Sequence, residues 1–389
     1  VTAYYRMYNG IWRLVSGTPG QPPPPVTEAP GGIWGTAPRA GTITDLSGVN
    51  PRTTQYNHAS AYVSPADDGK RWNAGLGGAR TIWTTTSDYA ITGLGKARFN
   101  MWRGGTVIGQ SPVDGTHPWD DGTAGGFHDQ TAMRVENNSP DLTIEYFCPR
   151  RKGDLIGFAG SDEPGTTARF VIRWCSCEEA MDNALSNDAK MSGINYQSFF
   201  SGASLYESRP DAGSEASDFP GQNTAVEWDG CALWLRGERY SDMSPWNDTT
   251  NFGVPVVLTA FKMQQDVLAP LNVRLKFRNS MFRYDGEPKA LRAGGNGITF
   301  SIPSGVVTEW TNVGICFPGR NRSQGVPANW PAIGTPGITH YFNDDSGNDL
   351  LGIPRSNLAH SNWNRFMEAL QVKGGSDMII NDPGTFAGV

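Results

Sequence analysis

No apolar run in this sequence approaches the roughly 20 residues that a membrane-spanning helix needs, and no signal peptide is visible. Charge is scarce: Asp, Glu, Lys and Arg make up 18% of the 389 residues, with a net charge of −6. Clustered cations are missing too, apart from Arg150-Arg151-Lys152, which reads as a solvated turn. A general nucleic-acid binder is therefore excluded, because neutralising phosphates requires such clusters. The five cysteines (Cys148, Cys175, Cys177, Cys231, Cys316) are odd in number and widely spaced. They form no disulfide framework and no paired CxxC zinc pattern, and read as buried free thiols compatible with a reducing compartment. Nucleophile elbows, Walker loops and a GxGxxG between strand and helix are all absent.

What is abundant is glycine (48), proline (27) and tryptophan (13). That mixture favours many short strands joined by turns and long loops over a helical fold. The first residue is Val rather than Met, which suggests a processed product or a cut from something longer.

The segment around which the chain is organised is 194–208. Phe199 and Phe200 are adjacent, so each face of an extended strand carries an aromatic and both faces are expected to be covered. Before it, residues 3–15 read as a strand with Gly10 at a close backbone approach. Residues 17–25 are a stiff polyproline II-like stretch, and loop chemistry continues to about residue 78. Ordering 18–60 costs backbone entropy that its few apolar residues do not offset, so this segment is expected to lie against other chains. Further strands are predicted at 81–85, 97–107, 133–135, 142–148 and 169–175. Ser176 and Glu179 form a capping-box pair, which predicts a short helix over 176–191.

Beyond the polar loop 209–222, strands are expected at 226–235, 254–262, 271–278, 298–302 and 313–317. The pattern at 271–278 is the cleanest: Leu271, Val273, Leu275 and Phe277 share one face, and Asn272, Arg274, Lys276 and Arg278 the other. Near the end, Trp363, Phe366, Met367 and Leu370 fall at helical spacing, with Ser361 as cap and Gly374 as stop. No repeat of fixed period is visible. The expected fold is all-β, a two-sheet sandwich with long loops and a few short helices. Residues 1–208 form the first unit, and 209–389 a second β-rich region with a C-terminal amphipathic helix.

Candidate chemistry is thin. His117 and His128 lie near Asp120, Asp121 and Asp129, but their spacing matches no ligand pattern. The run 343–349 offers Asp344, Asp345 and Asp349 as weak Ca²⁺ ligands, without the closing glutamate of an EF-hand. An Asx-rich turn accounts for it better. His58, His340 and His360 stand alone, and three glycosylation sequons occur at Asn137, Asn247 and Asn321. No catalytic residue and no cofactor is assigned, so the expectation is a protein that is not an enzyme. Trp-rich loops suit either sugar stacking or burial against another subunit.

Three stretches carry a resemblance. The segment Tyr8-Asn9-Gly10-Ile11-Trp12-Arg13-Leu14, the strand 142–149 and the pair 168–175 with 195–203 are similar, in order, to strands of picorna-like capsid proteins of the dicistrovirus and marnavirus kind. The match departs from that family at Asn9, at Arg150-Arg151 and at Ser204. It implies a jelly-roll subunit of an icosahedral virion, assembled in the host cytoplasm with copies of itself and sibling subunits. Weak contact with viral RNA on the inner face and no membrane span are implied as well. The competing class is a secreted β-sandwich that binds or cleaves carbohydrate with Trp-lined loops; a phage tail or fibre component is a third.

Overall fold

The computed structural model describes residues 4–8, 11–16, 43–45, 56–57, 71–85, 89–93, 101–109, 131–136, 141–159, 169–187, 191–208, 224–235, 259–263, 273–284, 306–327, 330–344, 347–348, 354–355 and 358–387. The expected strand at 298–302, His58, His117, His128, Asp345 and Asp349 lie outside these residues. So does the segment 18–60, apart from the short strands Ile43–Asp45 and Tyr56–Asn57.

Eight successive strands set the pattern: Arg71–Asn73, Met101–Arg103, Asp141–Glu145, Arg169–Arg173, Ser192–Tyr196, Thr224–Asp229, Val273–Arg278 and Val306–Thr311. Each pairs in parallel with the next, and together with Ile43–Asp45 they form a nine-stranded sheet. Each also begins one coil, numbered 1 to 8 here. After it the chain turns a corner into a strand of a second face, such as Cys148–Arg150 in coil 3 or Ala232–Leu235 in coil 6. Through coil 6 a third-face strand follows, such as Asp154–Ala159 or Thr259–Met263. The chain then returns one step along the axis. The second and third faces join into one 14-stranded sheet, because Ser176–Asn187 and Phe199–Ser208 run through both. The result is a parallel β-solenoid whose coils stack at about 4.8 Å.

This overturns the jelly-roll expectation. A jelly roll packs antiparallel sheets, whereas every pair within the two large sheets is parallel. Among the described residues only Tyr4–Tyr8 with Ile11–Ser16 and Gly347–Asn348 with Pro354–Arg355 are antiparallel. The wedge-shaped two-sheet subunit from which an icosahedral capsid was inferred is therefore not the fold of this chain. Parallel strands ordinarily need a long crossover; here the crossover is made of the strands of the other faces. The nine-stranded sheet passes residue 208 without a break, since Gly193 to Tyr196 pair with Val226 to Asp229.

The predicted helix at 176–191 is also corrected. Ser176–Asn187 is a strand, and the Ser176 hydroxyl donates to the Glu178 carboxylate at 2.7 Å instead of capping a helix. Parallel neighbours on both sides outweigh the local capping signal. Glu179, in left-handed backbone at φ 58, turns the strand from one face to the next.

The first corner recurs in coils 2 to 8 and explains the local sequence. Gly104, Tyr146, Trp174, Gln197, Gly230, Asn279 and Asn312 all sit in left-handed backbone, with φ between 44 and 74. Each of the first six donates its N–H to the carbonyl that ends the next coil's strand, from Gly104 to Glu145 (2.8 Å) through Asn279 to Thr311 (3.0 Å). One residue further on, Cys175, Ser198, Cys231 and Ser280 form a buried column. The Ser198 and Ser280 hydroxyls accept from the Cys175 and Cys231 amides at 3.1 Å, and donate to the Tyr196 and Arg278 carbonyls. In coil 3 the same position holds Phe147 and in coil 8 Val313, both buried. All five thiols are buried and free, as expected.

Inside, one row runs Trp72, Trp102, Ile144, Ile172, Asn195, Trp228, Phe277 and Trp310. Trp228 stacks on Phe277 at 5.0 Å and Phe277 on Trp310 at 4.5 Å, the offset geometry that aromatic rings prefer. Phe199 and Phe200 are both fully buried: Phe200 in this interior, Phe199 outside it under the helix α1 (Leu358–Gly374). The helix packs Trp363, Met367 and Leu370 against Trp234, Met281 and Tyr341 of the second face. It begins three residues before the expected cap, so Ser361 is buried within it, and it ends at Gly374 as predicted. It is not long and apolar enough to cross a membrane, nor is any other described helix.

Candidate functional site

Alternation along the nine-stranded sheet decides what faces outward. In coil 7 the expectation holds from Val273 on, Leu271 and Asn272 lying outside the described residues: Val273, Leu275 and Phe277 are buried, while Arg274 and Arg278 are exposed and Lys276 is half-buried. Parallel register stacks the outward positions of successive coils into rows. The row beside the corner reads Arg103, Glu145, Arg173, Tyr196, Asp229, Arg278, Thr311. The next row includes Glu227, Lys276 and Glu309.

Two parts of this surface differ. In coils 2 to 4 the fully buried Glu145 carboxylate takes Arg103 Nε at 2.6 Å on one side and Arg173 Nη2 at 2.7 Å on the other. On the same face Val171 and Ile194 are 5% and 2% exposed, so this half is closed. The face opens in coils 7 and 8, where Arg274, Arg278, Glu309 and Thr311 are exposed, while Glu227 in coil 6 is still only 7% exposed. Asp229 Oδ1 accepts from Asn279 Nδ2 at 2.9 Å, and Asn279 Oδ1 accepts from Asn312 Nδ2 at 3.0 Å. Arg278 pairs with Glu227 at 3.2 Å, and Arg274 with Glu309 at 3.2 Å. The corner residues thus extend the outward row as a chain of amides.

Burial tunes the groups at the centre. It raises Asp229 above the usual carboxylate range, opposed by the Asn279 hydrogen bond and by Arg278 and Lys373. Glu227 is raised by burial, with Arg278 as the main opposing charge. Tyr196, one coil before Asp229, is pushed up to about 12 by burial and then by the Asp229 charge. From the last turn of α1, Lys373 is lowered to about 7 by burial, against the pull of Asp229. The helix therefore contributes an amine, poised near neutrality, to a site otherwise built from the sheet. Together these groups offer a phenol, two carboxylates, two amides, a guanidinium and an amine, which are donors and acceptors suited to a polyhydroxylated ligand.

The residues singled out from sequence fall elsewhere. Asp344 is exposed and its carboxylate accepts from the Arg322 amide at 2.6 Å, tying together two segments 22 residues apart. Among the described residues no group of three or more His, Cys, Asp or Glu is placed to hold a metal. His340 is buried, with Nε2 2.9 Å from the Pro331 carbonyl, and His360 stacks on Phe386 at 3.6 Å. Trp34, Trp119 and Trp246, which would line loops, lie outside the described residues, whereas Trp72, Trp83, Trp102, Trp174, Trp228, Trp234, Trp330 and Trp363 are buried.

Tyr196, Asp229, Asn279, Asn312 and Lys373 are not legible from sequence as a group. A signal does exist at the corners. Tyr146-Phe-Cys, Trp174-Cys-Ser, Gln197-Ser-Phe, Gly230-Cys-Ala, Asn279-Ser-Met and Asn312-Val-Gly each follow an alternating strand, and aligning them registers the coils. No family model, no curated protein and no solved structure matches this chain.

Proposed function

We propose that this chain binds an extended carbohydrate polymer on the open half of the nine-stranded sheet, with the polymer lying along the solenoid axis. The observation that carries the reading is the in-register row Tyr196, Asp229, Arg278, continued beside it at the corner by the amides of Asn279 and Asn312 and flanked by Glu227 and Lys373. A polymer laid along such a face meets hydrogen-bonding groups at every coil, about 4.8 Å apart. Sugar hydroxyls act as both donor and acceptor, which matches alternating carboxylate, amide and guanidinium groups. Fold alone would not support this, since one architecture serves many functions. The reading is of binding without turnover. Glu227 and Asp229 are each engaged, by Arg278 and Asn279, in the partnerships that hold the face together.

Affinity electrophoresis against a panel of neutral and acidic polysaccharides tests it. At least one polymer should retard the protein, and Asn279→Ala and Asp229→Asn should each weaken retardation about tenfold or more, as expected for hydrogen bonds to charged groups. Retardation by none of them, or retardation indifferent to both substitutions, would remove the reading.

A further inference from the structure

Charge is unevenly placed on the open face. The coil 7 strand Val273–Arg278 turns Arg274, Lys276 and Arg278 outward in succession, so each of its outward side chains is a cation. Coil 6 sets Ala225, Glu227 and Asp229 beside them, and coil 8 sets Val307, Glu309 and Thr311. In its own row Arg274 therefore lies between Ala225 and Val307, with no acid directly opposite.

The two ion pairs of this strand hold each guanidinium at one corner. Arg278 approaches Glu227, and Arg274 approaches Glu309, through Nε at 3.2 Å in both cases. Among the described residues neither Nη1 nor Nη2 of these two arginines makes a hydrogen bond. Exposure shows which partner a ligand meets first. The Arg274 and Arg278 side chains are 55% and 48% exposed, whereas Glu227 is 9% exposed and lies beneath its arginine. Glu309, at 44%, is exposed too, but leans on Arg274.

A guanidinium fixed at Nε still offers the edge between its two Nη groups, which is planar and carries parallel N–H donors. A sugar hydroxyl occupies one such donor. A carboxylate occupies both at once, in the bidentate geometry that makes these among the stronger hydrogen bonds. Arg274 and Arg278 are four residues apart on one strand, about 13 Å, on either side of Lys276. An acid group projecting to either side of a polymer laid over Lys276 thus meets a fork.

We infer that the polymer is an acidic polysaccharide of the polyuronate class, and that Arg274 and Arg278 each take one of its carboxylates on the paired Nη edge. This rests on the carbohydrate reading of the face and adds the charge of the ligand. Glu227 positions the Arg278 fork from below, while Asp229 and the Asn279 and Asn312 amides are left for sugar hydroxyls. The chain's net charge of −6 disfavours non-specific attraction of a polyanion, so retention of one reports a local site.

Calorimetric titration of the full chain tests the assignment, with polyglucuronate, polygalacturonate and alginate, each also as its methyl ester, and with neutral glucans. At least one polyuronate should bind, and its ester, which keeps the backbone but not the charge, should bind at least about tenfold more weakly. Arg278→Gln and Arg274→Gln should each weaken polyuronate binding about tenfold, and Arg278→Lys should recover only part of the loss because it restores the charge without the fork. Arg103→Gln is the control: Arg103 is also 48% exposed and held through Nε, by Glu145, but it lies five coils away and its loss should leave binding unchanged. Circular dichroism checks that each variant keeps its β-sheet spectrum, and two separate arginines keep the test open if one variant does not fold. An ester or a neutral glucan that binds as tightly as the acid would overturn the inference and leave the carbohydrate reading standing, whereas binding of no polymer at all would remove both. Polyuronate binding indifferent to both coil 7 arginines, or weakened as much by Arg103→Gln, would also overturn it.

Discussion

Replacing Asn195 by valine should stabilise the protein. Asn195 is fully buried in the inward row, between Ile172 and Trp228, and neither its side-chain nitrogen nor its side-chain oxygen has a hydrogen-bond partner among the described residues. A buried polar group without a partner costs about 1–3 kcal/mol relative to an apolar group of similar size. Valine removes both polar atoms, has nearly the same volume, and suits a strand because its branched Cβ packs on the pleat. The expected gain is therefore about 1–3 kcal/mol. Chemical denaturation should show a higher midpoint at unchanged slope, which assigns the change to stability and not to compactness. Hydrogen exchange should place the added protection in coils 4 to 6, because a solenoid transmits such effects mainly to nearest neighbours. A loss of stability greater than about 1 kcal/mol would refute the reasoning, for it would mean that the amide makes an interaction worth more than its burial costs.

Other outcomes follow from the same geometry. Glu145→Gln should destabilise by about 3 kcal/mol in equilibrium unfolding, because Arg173 is left buried without its counter-charge. Gly193→Ala should cost about 1–3 kcal/mol in the same assay, since the new Cβ would sit 2.4 Å from the Phe170 ring in an interior with no slack. Lys373 titrates at about 7 in the folded protein against an ordinary 10.5, so between those values the unfolded chain holds a proton that the native one does not. Stability should therefore rise with pH across that window, and Lys373→Met should flatten the rise when unfolding is measured at pH 6, 8 and 10.

Strand positions were largely legible, because alternation of the kind at 271–278 survives any sheet topology. The direction of pairing was not. A half-exposed strand alternates in the same way whether its neighbour runs parallel or antiparallel, and the coil starts at 71, 101, 141, 169, 192, 224, 273 and 306 share no common interval. The variable stretches between faces hide the repeat that a fixed period would have shown. The anchor segment shows the difficulty in miniature. Read as one strand, it puts Asn195 and Phe199 on the same face. In the fold, Gln197 at φ 44 turns the corner between them, so Asn195 points inward while Phe199 lies under α1. The α1 stripe was legible because helical spacing is local. The site was not, because Tyr196, Asp229, Asn279 and Lys373 meet only through coil register and helix docking.

Parallel, in-register stacking of coils is the claim on which the site and the inward row both depend. Spin labels at Arg103→Cys and Thr311→Cys test it, since both positions face outward in one row and the five native thiols are buried. Six parallel steps separate these positions, so electron–electron distance measurement should give a single narrow peak near 29 Å, allowing for label length. A broad distribution, or a peak more than about 10 Å from that value, would contradict the stacking.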